Sequence, residues 1–422
     1  MYQYLIELIN NKRILILGFG KEGKSTYNLL NKFNNYKSLA ISDLNLIENI
    51  NVDKIYHGSN YLDCINDYDI VFKSPGIALF DKQYDAYITS QSEIFIKIYQ
   101  KQIIGITGTK GKSTISTLLY HVLINNNKDV LLVGNIGLPF FDIIDDIKLD
   151  TIIICELGCH QLENIKYSPH ISVISNIYQD HLDHYLSFDH YIKAKCNIYI
   201  HQNPCDYLII NHTTKNIIKD INSKCILFDQ TNITDRIKDI LDNHKLKGKH
   251  NQLNALIVLY ICNLLNIDID NFYNNLKTYQ PLSHRIEFIG NYNNIDYYDD
   301  SISTTAESTI AAINSIDNLD TIILGGLDRN INYQLLIDTL LSSNINNIIL
   351  IYASGLRIYQ QISKLKHNKN IIYKDNLKQA TQISKQVTKQ NYSCILSPAA
   401  ASYGDFIDFK DRGLQYKKFI KD

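Results

Sequence analysis

Residues 103–114 read Ile-Ile-Gly-Ile-Thr-Gly-Thr-Lys-Gly-Lys-Ser-Thr. An apolar strand runs into a glycine loop, after which Ile115, Leu118, Leu119 and Val122 recur at helical spacing. Backbone N–H groups of such a loop, with the helix N-terminus behind it, cradle phosphate. Lys112 can reach the outer phosphates of a nucleotide, and the Ser113 hydroxyl can hold Mg²⁺. The fit to G-x-x-x-x-G-K-[ST] is displaced by one residue: the first glycine is Gly105, and position 106 is Ile.

A second glycine loop lies near the start. Gly18-Phe-Gly-Lys-Glu-Gly23 is a formal G-x-G-x-x-G after an apolar strand, and Asp43 stands 20 residues beyond Gly23. That spacing suits a dinucleotide or another nucleotide diphosphate. Glu156 directly follows the apolar run Thr151–Cys155. A carboxylate at the carboxyl end of a strand is placed to hold Mg²⁺ beside a phosphate loop. Downstream, Asn176 leads to Asp180, His181 and His184; a zinc site would need a third clear ligand, which is missing. Lys195 sits in Tyr191-Ile-Lys-Ala-Lys195, and by spacing alone it is a solvated helix lysine.

These residues need strands to carry them. Near-continuous apolar runs mark candidate strands at Arg13–Leu17, Ile103–Ile106, Val130–Val133, Thr151–Cys155, Ile171–Ser175, Tyr207–Ile210, Thr321–Leu324, Asn347–Ile351 and Ser393–Leu396. Strands apolar on both faces belong in largely parallel sheets covered by helices, an α/β architecture. Polar Tyr99–Gln102 and the proline-containing Gln280–Ser283 suggest domains at 1–98, 99–282 and 283–422.

Composition narrows the function. Against 43 Asp+Glu stand 42 Lys+Arg, a balance that gives no support for a nucleic-acid or membrane-surface protein. No apolar run approaches the ~20 residues of a membrane span. The eight cysteines are scattered without a CxxC pair, so reduced thiols and a cytoplasmic location are expected. Heavy use of Asn, Ile, Lys and Tyr reads as codon bias, so Asn runs such as Asn125–Asn127 need not mean disorder.

Taken together and in order, the motifs resemble the Mur ligase family along nearly the whole chain, and within it the branch that adds glutamate. They are Gly18–Gly23, Ser74-Pro75-Gly76-Ile77, the 105–114 loop, Gly134-Asn135-Ile136-Gly137, Glu156–Glu163, Asn176 to His181, Ala194-Lys195, His250-Asn251 with Asn254-Ala255, Ser283-His284-Arg285-Ile-Glu287, Asp300-Ser301, Gly325-Gly326 and Ser397–Ser402. The resemblance implies three domains: a Rossmann-like N-terminal domain for UDP, a central P-loop ATPase-like parallel sheet, and a Rossmann-like C-terminal domain that closes over the site.

By position, Gly20, Lys21, Glu22, Gly23, Asp43, Ser74, Gly76 and Asn135 would bind the UDP-sugar. ATP would meet Gly108, Thr109, Lys110, Gly111, Lys112, Ser113, Thr114, Asn254, Arg285 and Asp300. Ser113, Glu156, His181 and Lys195 would hold two Mg²⁺, Lys195 as a carbamate. Lys112, His181 and Lys195 would be catalytic, and Thr304, Arg329, Ser402 and Phe409 would bind glutamate. The implied partners are ATP, glutamate and UDP-N-acetylmuramoyl-L-alanine, used by a monomer.

Three departures from the family pattern stand out. Ser-Ser is replaced by Gly158-Cys159, a frequent Lys by Ile302, and a Lys after the Gly-Gly pair by Arg329. The last two fall near the expected amino-acid site and bear on the stereochemistry of glutamate. A nicotinamide-dependent dehydrogenase would use the first glycine loop but leave residues 105–114 unexplained. A nucleotide-driven switch would not need Lys195 or Ser397–Ser402.

Overall fold

The computed structural model describes residues 1–422 except 80–81, 179–184, 186, 243, 245, 247–248, 282, 317, 330–331 and the side chain of Glu307. The chain forms two compact units, Met1–Tyr279 and Gln280–Asp422.

The first unit carries two parallel sheets. One holds β1 (Arg13–Leu17), β2 (Ser38–Asp43), β3 (Lys54–His57), β4 (Ile70–Lys73) and β5 (Tyr87–Thr89), in the order β3-β2-β1-β4-β5. The other holds β6 (Ile103–Thr107), β7 (Val130–Gly134), β8 (Ile152–Glu156), β9 (Ile171–Ile174), β10 (Tyr207–Asn211) and β11 (Lys224–Phe228), in the order β11-β10-β9-β6-β8-β7. One hydrophobic core joins them: Ile14, Ile16 and Phe72 of the first share it with Val133, Ile153 and Leu208 of the second.

The second unit has a six-stranded sheet. Its strands are β12 (Glu287–Tyr292), β13 (Ile295–Asp299), β14 (Leu319–Leu324), β15 (Asn347–Ile351), β16 (Asn370–Lys374) and β17 (Ser393–Leu396), in the order β12-β13-β17-β14-β15-β16. Only the edge pair β12–β13 is antiparallel among the described pairings. All nine strands expected from apolar runs occur, three with the expected ends and six with an end shifted by one or two residues. The eight not expected are mostly edge or half-exposed strands such as β3, β11, β12 and β16, where one face meets solvent and the apolar run is broken.

The helix Lys112–Asn125 buries Ile115, Leu118, Leu119 and Val122, the four residues whose spacing predicted it. They pack with Ile104 and Ile106 of β6 and Ile257 and Ile261 of the helix Lys249–Leu264. That packing fixes the helix start against the strand end, and so the loop between them.

Asparagine does structural work that glycine usually does. Asn293 and Asn294 take φ 54° and 60° in the two-residue turn joining β12 to β13, where Tyr292 pairs with Ile295. Both central residues of such a hairpin turn need positive φ, and Asn tolerates it. Asn34 closes the helix Lys21–Phe33 at φ 48°, its N–H donating to the Leu30 carbonyl. A β-branched residue there meets the left-handed penalty of about 1–2 kcal/mol. Asn34→Val is therefore expected to lower the melting temperature of the first unit, while Asn34→Gly leaves it unchanged or higher. Calorimetry of the two variants checks this, and equal melting for Val and Gly would contradict it.

Candidate nucleotide and acid-substrate site

Every expected site residue of the first unit that the structure describes, apart from the helix-borne Asn254 and Lys195, lies at or just beyond the carboxyl ends of parallel strands. That is the ligand edge of an open α/β sheet. At the first glycine loop, Gly18 has φ 88°. A Cβ on Gly23 would come 2.1 Å from the Gly18 carbonyl oxygen. Gly23 therefore acts by letting the helix approach the loop. The Asp43 carboxylate closes the turn, accepting the Phe19 N–H at 2.7 Å and the Asn45 N–H at 2.8 Å.

A cavity of about 450 Å³ opens here, lined by Gly20, Lys21, Glu22, Asp43, Ser74 and Gly76, with Leu44, Tyr61 and Ile77 added by the fold. A second cavity of about 230 Å³ shares Lys21, Glu22 and Pro75 with it and continues to Asn135, Gly158, His160 and Gln161. Glu22 stands at the junction. Its Oε1 accepts from Gln161 Nε2 at 2.8 Å, and Oε2 is buried without a hydrogen-bond partner. Burial raises its pKa, partly offset by the Gln161 bond and by Lys73.

The second glycine loop is held from behind. A Cβ on Gly108 would lie 1.9 Å from Ser175 Oγ, and one on Gly111 would lie 2.6 Å from Asn254 Oδ1. Asn176, just beyond β9, accepts the Thr109 N–H on its carbonyl at 3.0 Å and the Lys110 N–H on its side chain at 2.8 Å. Ser175 Oγ donates to the Lys110 carbonyl at 2.7 Å. Lys112 Nζ curls over the loop and donates to the Gly108 and Thr109 carbonyls at 2.8 and 3.1 Å. Ser113 is buried at the helix start and Thr114 follows it.

Glu156 ends β8, the neighbour of β6. It is fully buried; Oε1 accepts from Asn135 Nδ2 at 3.0 Å, and Oε2 has no hydrogen-bond partner. A buried carboxylate oxygen left so costs several kcal/mol unless a cation meets it. The donor set, a buried carboxylate with a serine hydroxyl on the adjacent phosphate loop, fits Mg²⁺.

Lys195 is not the solvated lysine its spacing suggested. It is 1% exposed on the helix Phe188–Cys196, and its Nζ donates to the Gly108 carbonyl at 2.9 Å. Its ammonium also lies 4.9 Å from the Tyr191 ring, whose hydroxyl meets Thr109 Oγ1 at 3.0 Å. His181, with Asp180 and His184, falls outside the described residues.

In the second unit, Asp300, Ser402 and Arg329 follow β13, β17 and β14, three adjacent strands. The loops after β14 and β17 are zipped together: the Gly325 N–H donates to the Pro398 carbonyl at 2.8 Å, and the Leu327 N–H to the Ala401 carbonyl at 2.9 Å. Arg329 is exposed over the Tyr403 ring at 5.9 Å. Thr304 is half-buried ahead of the capped helix Ala306–Ile313. Phe409 begins the helix Phe409–Lys421, and its carbonyl accepts from Ser301 Oγ at 2.8 Å.

Sequence reading missed the residue beneath these loops. Arg412 is fully buried and donates to Ser301 Oγ at 3.0 Å, to the Ser301 carbonyl at 2.8 Å and to the Ala400 carbonyl at 3.1 Å. Nothing in its spacing distinguishes it from a surface arginine of a polar helix. Beside it, His284 Nδ1 meets Asp299 Oδ2 at 2.7 Å, and Lys417 Nζ stands 2.6 Å from Glu287 and 3.5 Å from Asp299. Arg285 lies next to this cluster in sequence and pulls Asp300 electrostatically.

A phosphate loop, an adjoining buried carboxylate and a two-part cleft on parallel sheets are the parts of a nucleotide-dependent α/β enzyme, and the relatives make it a Mur ligase. The profile of the Mur ligase middle domain matches residues 106–262. A UDP-N-acetylmuramoylalanine–D-glutamate ligase of Clostridium tetani is 30% identical, covering 99% of this chain and 93% of its own. Its counterpart in Clostridioides difficile is also 30% identical, covering 97% and 98%. The chain belongs to this D-glutamate ligase branch of the Mur ligase family. Among solved structures, the MurF ligase of Thermotoga maritima in complex with ADP shares the fold at TM-score 0.56 and 13% identity, over 99% of this chain and 96% of that one.

Asp300 yields a pH prediction. Its carboxylate accepts the Ile286 N–H at 3.1 Å and the Ser397 hydroxyl at 2.7 Å. Burial pushes its pKa up to about 7, against the opposing pull of Ser303, Ser397, Ile286 and Arg285. Between the unfolded pKa of ~3.9 and that value, the folded state binds the extra proton, so stability falls as pH rises through this window. Asp300→Asn is expected to flatten the fall in the melting temperature of the second unit between pH 4.5 and 7. A variant with the wild-type slope would remove Asp300 as its source.

Proposed function

We propose that this protein joins D-glutamate to UDP-N-acetylmuramoyl-L-alanine, driven by ATP, in the synthesis of peptidoglycan precursors. The observation that carries the reading is the Glu156 carboxylate. It is one hydrogen bond from cavity-lining Asn135, it has an unpartnered buried oxygen, and it sits on the strand beside the phosphate loop. Such a carboxylate places a cation site between a nucleotide phosphate and an acid substrate. Family membership and the 30% identical D-glutamate ligases support the substrates.

An amine does not condense with a carboxylate in water, because the oxygen leaving group is too poor. The alanyl carboxylate attacks the γ-phosphorus of ATP, expelling ADP and forming an acyl phosphate. The glutamate amine then attacks the acyl carbon, loses a proton, and phosphate leaves with the C–O electron pair. The protein's part is positioning and charge stabilisation. When bound, Mg²⁺ supplies charge neutralisation between the two anions; Ser113, Glu156, His181 and carbamylated Lys195 are the residues assigned to hold it.

Residues 1–98 are assigned the UDP-sugar, with Gly20–Gly23, Asp43, Ser74, Gly76 and Asn135 as contacts. Residues 99–282 are assigned ATP, with Gly108–Thr114 and Asn254 as contacts. Residues 283–422 are assigned the remaining contacts, Arg285 and Asp300 for ATP and Thr304, Arg329, Ser402 and Phe409 for glutamate. The guanidinium of Arg329 serves where relatives use a lysine, since both pair with a carboxylate. We place the enzyme in the cytoplasm as a monomer, in keeping with eight free cysteines and no described helix long and apolar enough to cross a membrane.

The deciding assay is phosphate release from ATP and Mg²⁺ with UDP-N-acetylmuramoyl-L-alanine and either enantiomer of glutamate. Turnover is expected with D-glutamate only, and Lys112→Ala is expected to cut it by roughly 10²–10³, as loss of a preorganised charge does. Turnover without the UDP-sugar, or with L-glutamate alone, overturns the reading.

Lys195 carries a separate prediction. A carbamate converts an ammonium that repels Mg²⁺ into an anionic oxygen ligand, and the 1% exposure of Lys195 shelters it from hydrolysis. Lys195→Ala is expected to be nearly inactive and to recover in part with excess formate or acetate. Lys195→Arg should not recover. Wild-type activity in Lys195→Arg returns Lys195 to the role of a plain cation.

A further inference from the structure

Arg285 stands between two residues with unusual backbone. His284 has φ 63° and Ile286 φ 45°. For a β-branched isoleucine the left-handed region is an outlier, and it persists only where the surroundings enforce it. The stretch lies near the start of the second unit, and Arg285 is exposed on it.

What enforces the shape is a set of carboxylates. Glu287 Oε2 accepts the His284 N–H at 2.7 Å, and Asp300 Oδ1 accepts the Ile286 N–H at 3.1 Å. The His284 carbonyl accepts the Ile302 N–H at 3.1 Å. Asp299 Oδ2 meets His284 Nδ1 at 2.7 Å, and Asp299 Oδ1 accepts the Ser301 N–H at 3.0 Å.

Two of these carboxylates are crowded. One atom each from His284, Glu287 and Asp299 lie within 4.8 Å of one another, and Asp299 is fully buried. Carboxylates at that spacing repel unless a cation stands between them. Lys417 is that cation: its Nζ is 2.6 Å from Glu287 Oε2 and 3.5 Å from Asp299 Oδ2. It comes from the helix Phe409–Lys421, one turn beyond Gly413. A Cβ on Gly413 would lie 2.1 Å from His284 Nδ1 and 2.6 Å from Asp299 Oδ2. Glycine lets the helix press against the His284–Asp299 pair, and that closeness brings Lys417 to both carboxylates. Arg412 also attracts Asp299, but its own nitrogens donate to Ser301 and Ala400.

We infer that Lys417 is a positioning residue for the nucleotide: its ammonium holds Glu287 and Asp299 together, and they hold the 284–286 backbone in the conformation that presents Arg285 to ATP. The inference rests on the assignment of Arg285 to ATP made above. Without the ammonium, the two carboxylates repel, Glu287 gives up the His284 N–H, and the strained residues relax. Arg285 is then no longer fixed in one orientation, and ATP loses a contact while the rest of the protein keeps its fold.

The test is a double-mutant cycle on Lys417 and Arg285, read as kcat, the KM for ATP and the Kd for UDP-N-acetylmuramoyl-L-alanine without ATP. Lys417→Met keeps the stem and removes the charge. It is expected to raise the KM for ATP about 10-fold, the size of one lost charge-assisted bond, and to leave the Kd for the UDP-sugar unchanged. Lys417→Arg keeps a cation and should restore most of the loss. In an Arg285→Ala background, Lys417→Met should raise the KM for ATP no further, because a residue that acts through Arg285 has nothing left to position. A lysine with a structural role alone would lower the melting temperature and kcat without moving the KM for ATP. Glu287→Gln removes the other half of the ion pair and should raise the KM likewise, so it serves if Lys417→Met does not fold. A wild-type KM for ATP in Lys417→Met, or the same increase with and without Arg285, overturns the inference. A wild-type KM for ATP in Arg285→Ala strikes the assignment of Arg285 itself, and the inference falls with it.

Discussion

The structure depends on a loop with no room for side chains. Between β6 and the helix Lys112–Asn125, Gly108 and Gly111 take φ 152° and 86°, and each would drive a Cβ into a polar side chain behind it. Those neighbours, Ser175 and Asn254, come from a different strand end and a different helix. The loop is thus pressed into shape from two sides while Asn176 takes up its outward-facing N–H and carbonyl groups. Order in the loop is set by the packing of Ile115, Leu118, Leu119 and Val122, because that packing fixes where the helix begins. A phosphate-binding cradle here is a consequence of hydrophobic register.

Charge burial is the second constraint. Glu156, Lys195 and Arg412 are buried, and Glu22 is half-buried with one carboxylate oxygen out of reach of water. Arg412 donates from all three of its nitrogens to oxygens of the loops after β13 and β17, and so ties those loops together. Glu22 and Glu156 are half satisfied, each with one partner and one unpartnered oxygen. Burying polar groups is costly unless they are matched, so half-satisfied carboxylates beside cavities mark where a missing partner belongs. The two kinds of burial separate scaffold from site.

The family resemblance fixed the ordering of motifs and thereby the class of enzyme, and the 30% identical ligases agree with it. The departures acquire physical content in the fold. Gly158, where the family has serine, lines the second cavity and leaves it open beside His160. Ile302 is half-buried, where a lysine would have to reach out toward a ligand. Arg329 keeps the positive charge on the loop after β14.

Sequence alone determined whatever is written in local period and chain order. Apolar runs gave nine of the strands, helical spacing gave Lys112–Asn125, and glycines before a helix gave both loops. It could not supply the half-exposed strands, whose apolar face is interrupted by polar residues facing solvent. Nor could it tell Lys195 from any other helix lysine, since burial is a property of what packs over a residue from elsewhere in the chain. The same holds for Arg412, a polar-helix arginine by spacing and a buried triple donor in fact. Glu156 was legible by position, but its unpartnered oxygen was not. Hydrogen bonding in the core depends on residues far apart in sequence, and only the folded chain decides which groups are left without partners.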